Sequence, residues 1–384
     1  MCKKQGDLIL RYLDNSATTR VSPAAAKKAL ELMTENFGNP SSLHTLGYNA
    51  EQELTKARKA VAKALAVGED EIYFTSGGTE ANNLAVFGAV RRLRRRGNKI
   101  VTTAVEHSSV AESVKALEDE GFEVVRVKPD RNGCFDPADF KDAIDEKTIL
   151  VSVMAVNNET GAVLPTEKLK KYIELKKSPA LLHSDLVQGF GKLPLKPAKL
   201  GLDLATVSGH KIHAPKGVGA LYVRKGVHIK PVQFGGEQEK KLRPGTEALP
   251  LIGAFGVAVS ELDISKNYAY VKELNAYALE KLASLGNIVI NSPENALPYI
   301  INISALGIRS ETMLHFLAEK DIYVSSGSAC AKGKPSHVLE AMGLDGKTAD
   351  SALRISFSKE NTKEDIDALA DALSEGMYTL VKRN

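Results

Sequence analysis

Seven short apolar runs, at 71–74, 99–103, 122–127, 148–156, 180–183, 204–208 and 219–223, alternate with helical stretches. This alternation constrains the chain more than any other feature. It argues for a mostly parallel or mixed sheet covered by helices on both faces. Such sheets bind ligands at the carboxyl ends of their strands. The residue clusters with chemical potential lie just after these runs. Ahead of them, Ser22-Pro23 is a helix start, with serine capping and proline in the first turn. Ala26, Ala29, Leu30, Met33 and Phe37 follow helical spacing up to Gly38, and Ala50, Leu54, Ala57, Val61 and Leu65 give a second amphipathic helix.

Beyond about residue 260 the pattern changes. A long helix at 260–285 leads to strand-like 299–304, helical 310–320, strand-like 322–325, another strand at 353–357 and a final helix from Thr362. The fold class expected is therefore α/β. A large, mostly parallel domain at 22–260 carries a seven-stranded sheet. A smaller α+β domain is built from 1–21 and 261–384.

Composition narrows the function. With 384 residues, 43% hydrophobic and 26% charged, the chain reads as an ordinary globular protein. A net charge of +4 argues against a dedicated nucleic-acid binder. The run Arg91-Arg92-Leu93-Arg94-Arg95-Arg96 is read as a solvated helix end, whose cations suit the C-terminal dipole. Residues 1–7 are polar with no apolar signal core, and the apolar stretch 248–259 contains Pro250 and is too short to span a bilayer. Cys2, Cys134 and Cys330 form neither a CxxC pair nor a metal-ligand cluster, which suits a reducing cytoplasm.

Lys211, in Ser208-Gly209-His210-Lys211, and Asp185, in His183-Ser184-Asp185-Leu186-Val187-Gln188, each end an apolar run. Taken singly they are a surface lysine and a strand-end aspartate. Taken together they describe a pyridoxal 5'-phosphate (PLP) pocket: a lysine for a Schiff base, and an acid that keeps a pyridinium nitrogen protonated. Thr75-Ser76-Gly77-Gly78-Thr79 opens a helix, where glycines and a helix N-terminus favour a phosphate. Ser208 and His210 would add donors. His107 either stacks on the cofactor ring and shuttles protons or caps the helix at Ser108. Asn157-Asn158 and Gln188 offer amides to the cofactor or a carboxylate, or simply make turns. Arg354, in a strand-like run, is either a bidentate carboxylate clamp or an edge-strand arginine facing water. Cys330 lies among small residues and two lysines, which favours an exposed thiol of lowered pKa over a buried inert one.

Together these motifs resemble the cysteine desulfurases of the NifS/IscS kind, in the fold-type I PLP (class V aminotransferase) superfamily. The resemblance runs from Tyr12-Leu13-Asp14-Asn15-Ser16-Ala17-Thr18-Thr19 to Arg354-Ile355-Ser356. It includes Phe37-Gly38-Asn39-Pro40-Ser41-Ser42, Gly235-Gly236-Glu237-Gln238-Glu239 and Arg243-Pro244-Gly245-Thr246. It implies that Lys211 carries PLP, Asp185 pairs with the pyridinium, Gln188 contacts the phenolic oxygen and His107 stacks on the ring. It implies that Gly78, Thr79, Ser208 and His210 hold the phosphate, with Thr246 reaching in from the partner of a homodimer. Asn158, Arg354 and Asn39 would hold the substrate L-cysteine, and Cys330 would take its sulfur as a persulfide, leaving alanine. The persulfide would pass to an acceptor protein, an iron–sulfur scaffold or a tRNA-thiolation enzyme.

Ala214, Ser184 and Leu186-Val187 depart from the commoner family pattern. The stretch from Cys330 to Pro335 is short and no long tail follows the last helix, so the surfaces that select an acceptor differ. Two rivals compete with this reading. One is another PLP enzyme on the same fold: a selenocysteine lyase, a cysteine sulfinate desulfinase or an aminotransferase. The other is a catalytically silent sulfur-carrier or RNA-binding scaffold. A loop cysteine counts against plain transamination, and Lys211, Asp185, Cys330 and Arg354 count against a silent scaffold.

Overall fold

The computed structural model describes residues 10–326 and 336–380. The chain opens with β1 (Arg11–Tyr12), α1 (Pro23–Thr34) and α2 (Thr45–Leu65). Ser22 caps α1 by accepting from Ala25 N, with Pro23 in the first turn, as the sequence predicts. The alternating region follows as β2 (Ile72–Thr75), α3 (Gly78–Leu93), β3 (Lys99–Thr103), α4 (Ser108–Asp119), β4 (Glu123–Val127), α5 (Pro137–Ala143), β5 (Thr148–Ser152), α6 (Thr166–Leu175), β6 (Leu181–Asp185), β7 (Leu204–Ser208) and β8 (Gly219–Val223). The remainder is α7 (Leu249–Ser260), α8 (Ile264–Ala283), β9 (Ile288–Ile290), β10 (Ile300–Ala305), α9 (Ser310–Ala318), β11 (Ile322–Tyr323), α10 (His337–Ala341), α11 (Gly346–Asp350), β12 (Ala352–Ser356) and α12 (Lys363–Thr379).

The seven predicted runs make one seven-stranded sheet in the order β2-β8-β7-β6-β5-β3-β4. β8 is antiparallel to both neighbours and the other pairings are parallel, so six strands point the same way. Burial on both faces explains the continuous apolar runs. Along each strand, neighbouring residues serve opposite faces. Ile100, Leu150 and Leu204 pack beneath α3 and α4 with Leu84, Val110 and Val114. Val101, Val151 and Ala205 face the other core with Phe140, Leu169 and Phe255 of α5, α6 and α7. α7 is almost wholly buried, and a Cβ on Gly256 would lie 2.7 Å from Ala57 Cα, so glycine lets α7 and α2 approach closely.

β12, β10 and β9 form a separate antiparallel sheet, covered by α8, α9 and α12. β1 pairs in parallel with β11, and Leu13 O accepts from Ser356 N at 2.7 Å beside β12. The segment at 14–19 then crosses to the large sheet, where Thr19 N donates to His210 O at 2.8 Å.

Two boundaries differ from expectation. The helix at 260–285 is broken: Ser260 ends α7, and Asp263 starts α8 by accepting from Lys266 N at 3.1 Å. The run 148–156 leaves strand geometry at Ser152, because Asn157 folds the chain back, its Oδ1 accepting from Glu159 N and Thr160 N at 2.9 Å each. No helix among the described residues is long and apolar enough to cross a membrane.

Candidate active site

Five strand ends of the large sheet converge on one cavity of about 260 Å³. Gly78, Thr79, His107, Asn158, Asp185, Gln188, Ser208, His210, Lys211 and Arg354 all line it. Each of the first nine follows or ends β2, β3, β5, β6 or β7. Arg354 comes from β12, on the other sheet.

Lys211 closes the single helical turn after β7. Its Nζ donates to Ser16 O at 2.6 Å and Ala17 O at 2.8 Å, so the crossing segment forms one wall of the cavity. Asp185, the last residue of β6, is 5% exposed. Its Oδ1 accepts from Val187 N at 2.9 Å, and its Oδ2 accepts from Asn82 Nδ2 at 2.7 Å. Asn82 also donates to Ser109 Oγ at 2.8 Å, and that hydroxyl lies 2.8 Å from His107 Nδ1. A relay of short polar contacts therefore ties the acid to the imidazole.

The capping reading of His107 is borne out, and the ring also lies on the cavity. Its Nδ1 caps α4 by accepting from Ser109 N at 3.2 Å, and the ring lines the cavity. An acceptor Nδ1 assigns the proton of the neutral ring to Nε2. Burial holds this imidazole below its ordinary pKa. Asp185 opposes that shift, while Lys211 and His337 reinforce it. His210 is pushed down to about 3, chiefly by burial and then by Lys211 and Lys216, so it is a neutral group able to donate a hydrogen bond.

Gly78 begins α3, a helix of sixteen residues. A Cβ there would meet Val187 Cγ2 at 3.0 Å and Ser208 Cβ at 3.7 Å. Glycine keeps the first backbone N–H groups of α3 open to the cavity. Beside them the Ser208 hydroxyl is buried without a hydrogen-bond partner. An unpartnered buried hydroxyl next to a helix N-terminus matches the donor set that a phosphate requires. With Lys211 and Asp185 on the same cavity, the residues fit PLP.

Arg354 is 2% exposed, which removes the water-facing alternative. Its Nη1 donates to Asn158 O at 3.0 Å, and its Nη2 pairs with Asp14 Oδ1 at 2.8 Å. Asn157 forms the turn, and its neighbour Asn158 lines the cavity. Gln188 Nε2 donates to Ser16 O at 3.0 Å.

The description of the aminotransferase class-V family matches residues 11–369. Cysteine desulfurase IscS of Methanosarcina thermophila is 39% identical over 369 residues, which is 95% of this chain and 91% of that protein. A solved NifS-like protein superposes with a TM-score of 0.92 at 37% identity, covering 97% of this chain and 100% of that one. A structure of SspA in complex with cysteine gives 0.81 at 32% identity, over 92% of this chain and 100% of that one. The chain belongs to the class-V aminotransferase family, among the NifS/IscS cysteine desulfurases. Its mixed seven-stranded sheet with covering helices is the fold-type I architecture of those neighbours.

Two expected site residues of this desulfurase lie outside the cavity of one chain. Thr246 is exposed and outside the cavity of one chain. Asn39 is also exposed, and its Oδ1 accepts from Ser41 N at 2.9 Å to close its own turn. Cys330 lies outside the described residues, as does Cys2. Cys134 is exposed, its thiol pushed up by partial burial and by Asp130 and Glu294.

Several cavity residues were absent from the sequence expectation: Ser16, Ala17, Asn82, Ser109, Met154 and Val187. Asn82 carried a readable signal. It stands four residues after Gly78, so the helical repeat turns it to the same side. Asp14, the partner of Arg354, carried none, since nothing local in the sequence joins residues 14 and 354.

Proposed function

We propose that this desulfurase uses PLP on Lys211 to remove sulfur from L-cysteine, giving L-alanine and a persulfide on Cys330. The observation that carries the reading is the convergence of Lys211, Asp185 and the unpartnered Ser208 hydroxyl on one cavity at the strand ends. When bound, PLP supplies an electron sink for charge developing at the substrate Cα.

The protein supplies the rest. The N–H groups at Gly78 and Thr79, the Ser208 hydroxyl and His210 hold the phosphate. Asp185 holds a proton on the ring nitrogen. Gln188 donates to the phenolic oxygen, and the flat face of His107 covers the ring. Arg354 takes the substrate carboxylate, assisted by Asn158 and, in this reading, Asn39. Lys211 Nζ would move the proton at the substrate Cα. Cys330 thiolate would form an S–S bond to the substrate sulfur as the Cβ–S bond breaks, the pair from that bond passing to Cβ, which takes a proton so that alanine leaves. By its resemblance to the family, the protein forms a homodimer in which Thr246 completes the partner's phosphate cup. The persulfide passes to an iron–sulfur scaffold or a tRNA-thiolation enzyme in the cytoplasm.

The test is spectroscopic and chemical. Purified protein with PLP and L-cysteine is expected to absorb in the visible and to release alanine with one extra sulfur on the Cys330 peptide. Cys330→Ser is expected to keep PLP and L-cysteine binding but to lose the persulfide. Sulfur on the Cys134 peptide in place of the Cys330 peptide would overturn the mechanism, and full turnover in Lys211→Ala would overturn the PLP assignment.

A further inference from the structure

Four residues past Gln188, Lys192 is buried at 5% exposure. Its Nζ donates to Gln188 Oε1 at 3.2 Å and stands 5.5 Å from the centre of the Tyr299 ring. No carboxylate among the described residues forms an ion pair with it. A cation buried without a counter-ion destabilises the fold, so its surroundings suggest a use beyond packing.

The contact has a directional consequence. An amide side chain has one oxygen that accepts and one nitrogen that donates. An ammonium only donates, so Lys192 selects Oε1 and turns the Gln188 NH2 the other way. That NH2 reaches Ser16 O at 3.0 Å, the carbonyl that also takes Lys211 Nζ at 2.6 Å. A flipped amide would set donor against donor at Lys192 and acceptor against acceptor at Ser16.

We propose that Lys192 is a positioning residue for the desulfurase reaction, fixing the Gln188 amide so that its N–H face is turned to the bound cofactor. The proposal rests on the PLP reading above. The charges around Lys192 are cationic Lys211 and Arg354, with His210 and His213 close enough to sense it. Glu261 and Lys359 line the small cavity that it shares with Lys211. Burial first, then Lys211 and Arg354, push the Lys192 ammonium down to about 7. Its charge therefore fades as pH rises through neutrality. The neutral amine still donates to Oε1, and Ser16 O, which only accepts, keeps the NH2 on its own side, so the amide stays oriented on both sides of that pH.

Lys192→Met keeps an unbranched apolar side chain in the same space and removes the donor. The PLP-loaded variant is titrated by visible absorption, and its kcat and KM for L-cysteine are measured at pH 6 and 9. PLP is expected to stay bound. Loss of a donor at the cofactor lets the bound cofactor hold its proton to higher pH, so the absorption midpoint moves up, on the order of one pH unit. kcat is expected to fall about tenfold at both pH values, with KM nearly unchanged. Gln188→Ala should give the same pattern, and the double variant should lose no more than Gln188→Ala alone. Should Lys192→Met fail to fold, Lys192→Gln carries the same measurement, with an intermediate midpoint expected. Wild-type midpoint and kcat in a folded Lys192 variant, additive losses in the double variant, or a deficit confined to pH 6 would each overturn the proposal. Wild-type protein that binds no PLP would overturn the site reading, and this inference with it, which separates the two failures.

Discussion

The two walls of the cavity are built in different ways. On the large-sheet wall, the acid and the imidazole each have a partner two residues away, and Asn82 of the same domain joins them. Val187 N fixes Asp185, and Ser109 N fixes His107. On the opposite wall the partners are remote in sequence. Arg354 is held by Asp14 and by Asn158 O, and Ser16 O meets Lys211 and Gln188. Strand ends and α3, all within the large sheet's own layers, set the first wall. The second exists only when the β12 sheet and the segment at 14–19 dock against the large sheet. Substitutions on the first wall should therefore strike the chemical step, and those on the second should strike substrate capture.

The largest effect belongs to the first wall. Asp185→Ala removes the charge that we assign to the cofactor ring nitrogen, so kcat should fall on the order of 10²–10³-fold, with PLP still held at its phosphate. Steady-state alanine release measures it. A kcat near wild type would break the division between the walls.

Arg354→Ala tests the second wall. A charge-assisted carboxylate contact is worth about 1.5–3 kcal/mol, so KM for L-cysteine should rise roughly 10- to 100-fold. Lysine at this position should restore little, because it lacks the planar fork. A fall in kcat with unchanged KM would move Arg354 to the other class.

Asp14→Asn has a smaller expected effect. It keeps an acceptor near Arg354 Nη2 but removes the anchoring charge, so KM should rise a few-fold while kcat holds, roughly the worth of a partly screened ion pair. A lower KM would show that Asp14 competes with the substrate for the guanidinium.

The same contrast explains what the sequence made legible. The large sheet, and nine of the ten expected residues that do line the cavity, come from short windows in which an apolar run ends in a chemically loaded turn. Such windows carry their own geometry. Arg354 is readable as an arginine among apolar strand residues and as a candidate carboxylate clamp, but nothing local in the sequence joins it to its partner Asp14. Asp263 splits a helix that periodicity alone runs through, because a capping aspartate looks like any surface acid until the chain bends there. Thr246 and Asn39 show the limit in the other direction. Their motifs are clear, yet one chain does not bring them to the cavity.

The smallest expected effect lies beneath the first wall. Glu106 is 1% exposed. Its Oε1 accepts from Thr103 Oγ1 at 2.7 Å and Met154 N at 2.9 Å, while Oε2 is buried without a partner. Burial, with Asp185 adding to it, raises its pKa from 4.5 to about 8. The folded protein therefore keeps this proton over a range where the unfolded chain has released it. Between pH 4.5 and 8 the folded state binds more protons, so this group's contribution to stability falls as pH rises through that window and is level above it. Glu106→Gln keeps the acceptor and cannot ionise. The difference in Tm between variant and wild type should start near zero at pH 4.5, grow in the variant's favour towards pH 8 by on the order of a few degrees, and then stay constant. Turnover at neutral pH should change little, because a neutral acid and an amide present the same acceptor to Met154 N. A Tm difference that stays level from pH 5 to 8 would mean that Glu106 is ionised in the fold. The large-sheet wall would then rest on a buried charge beside Asp185 rather than on a protonated acid.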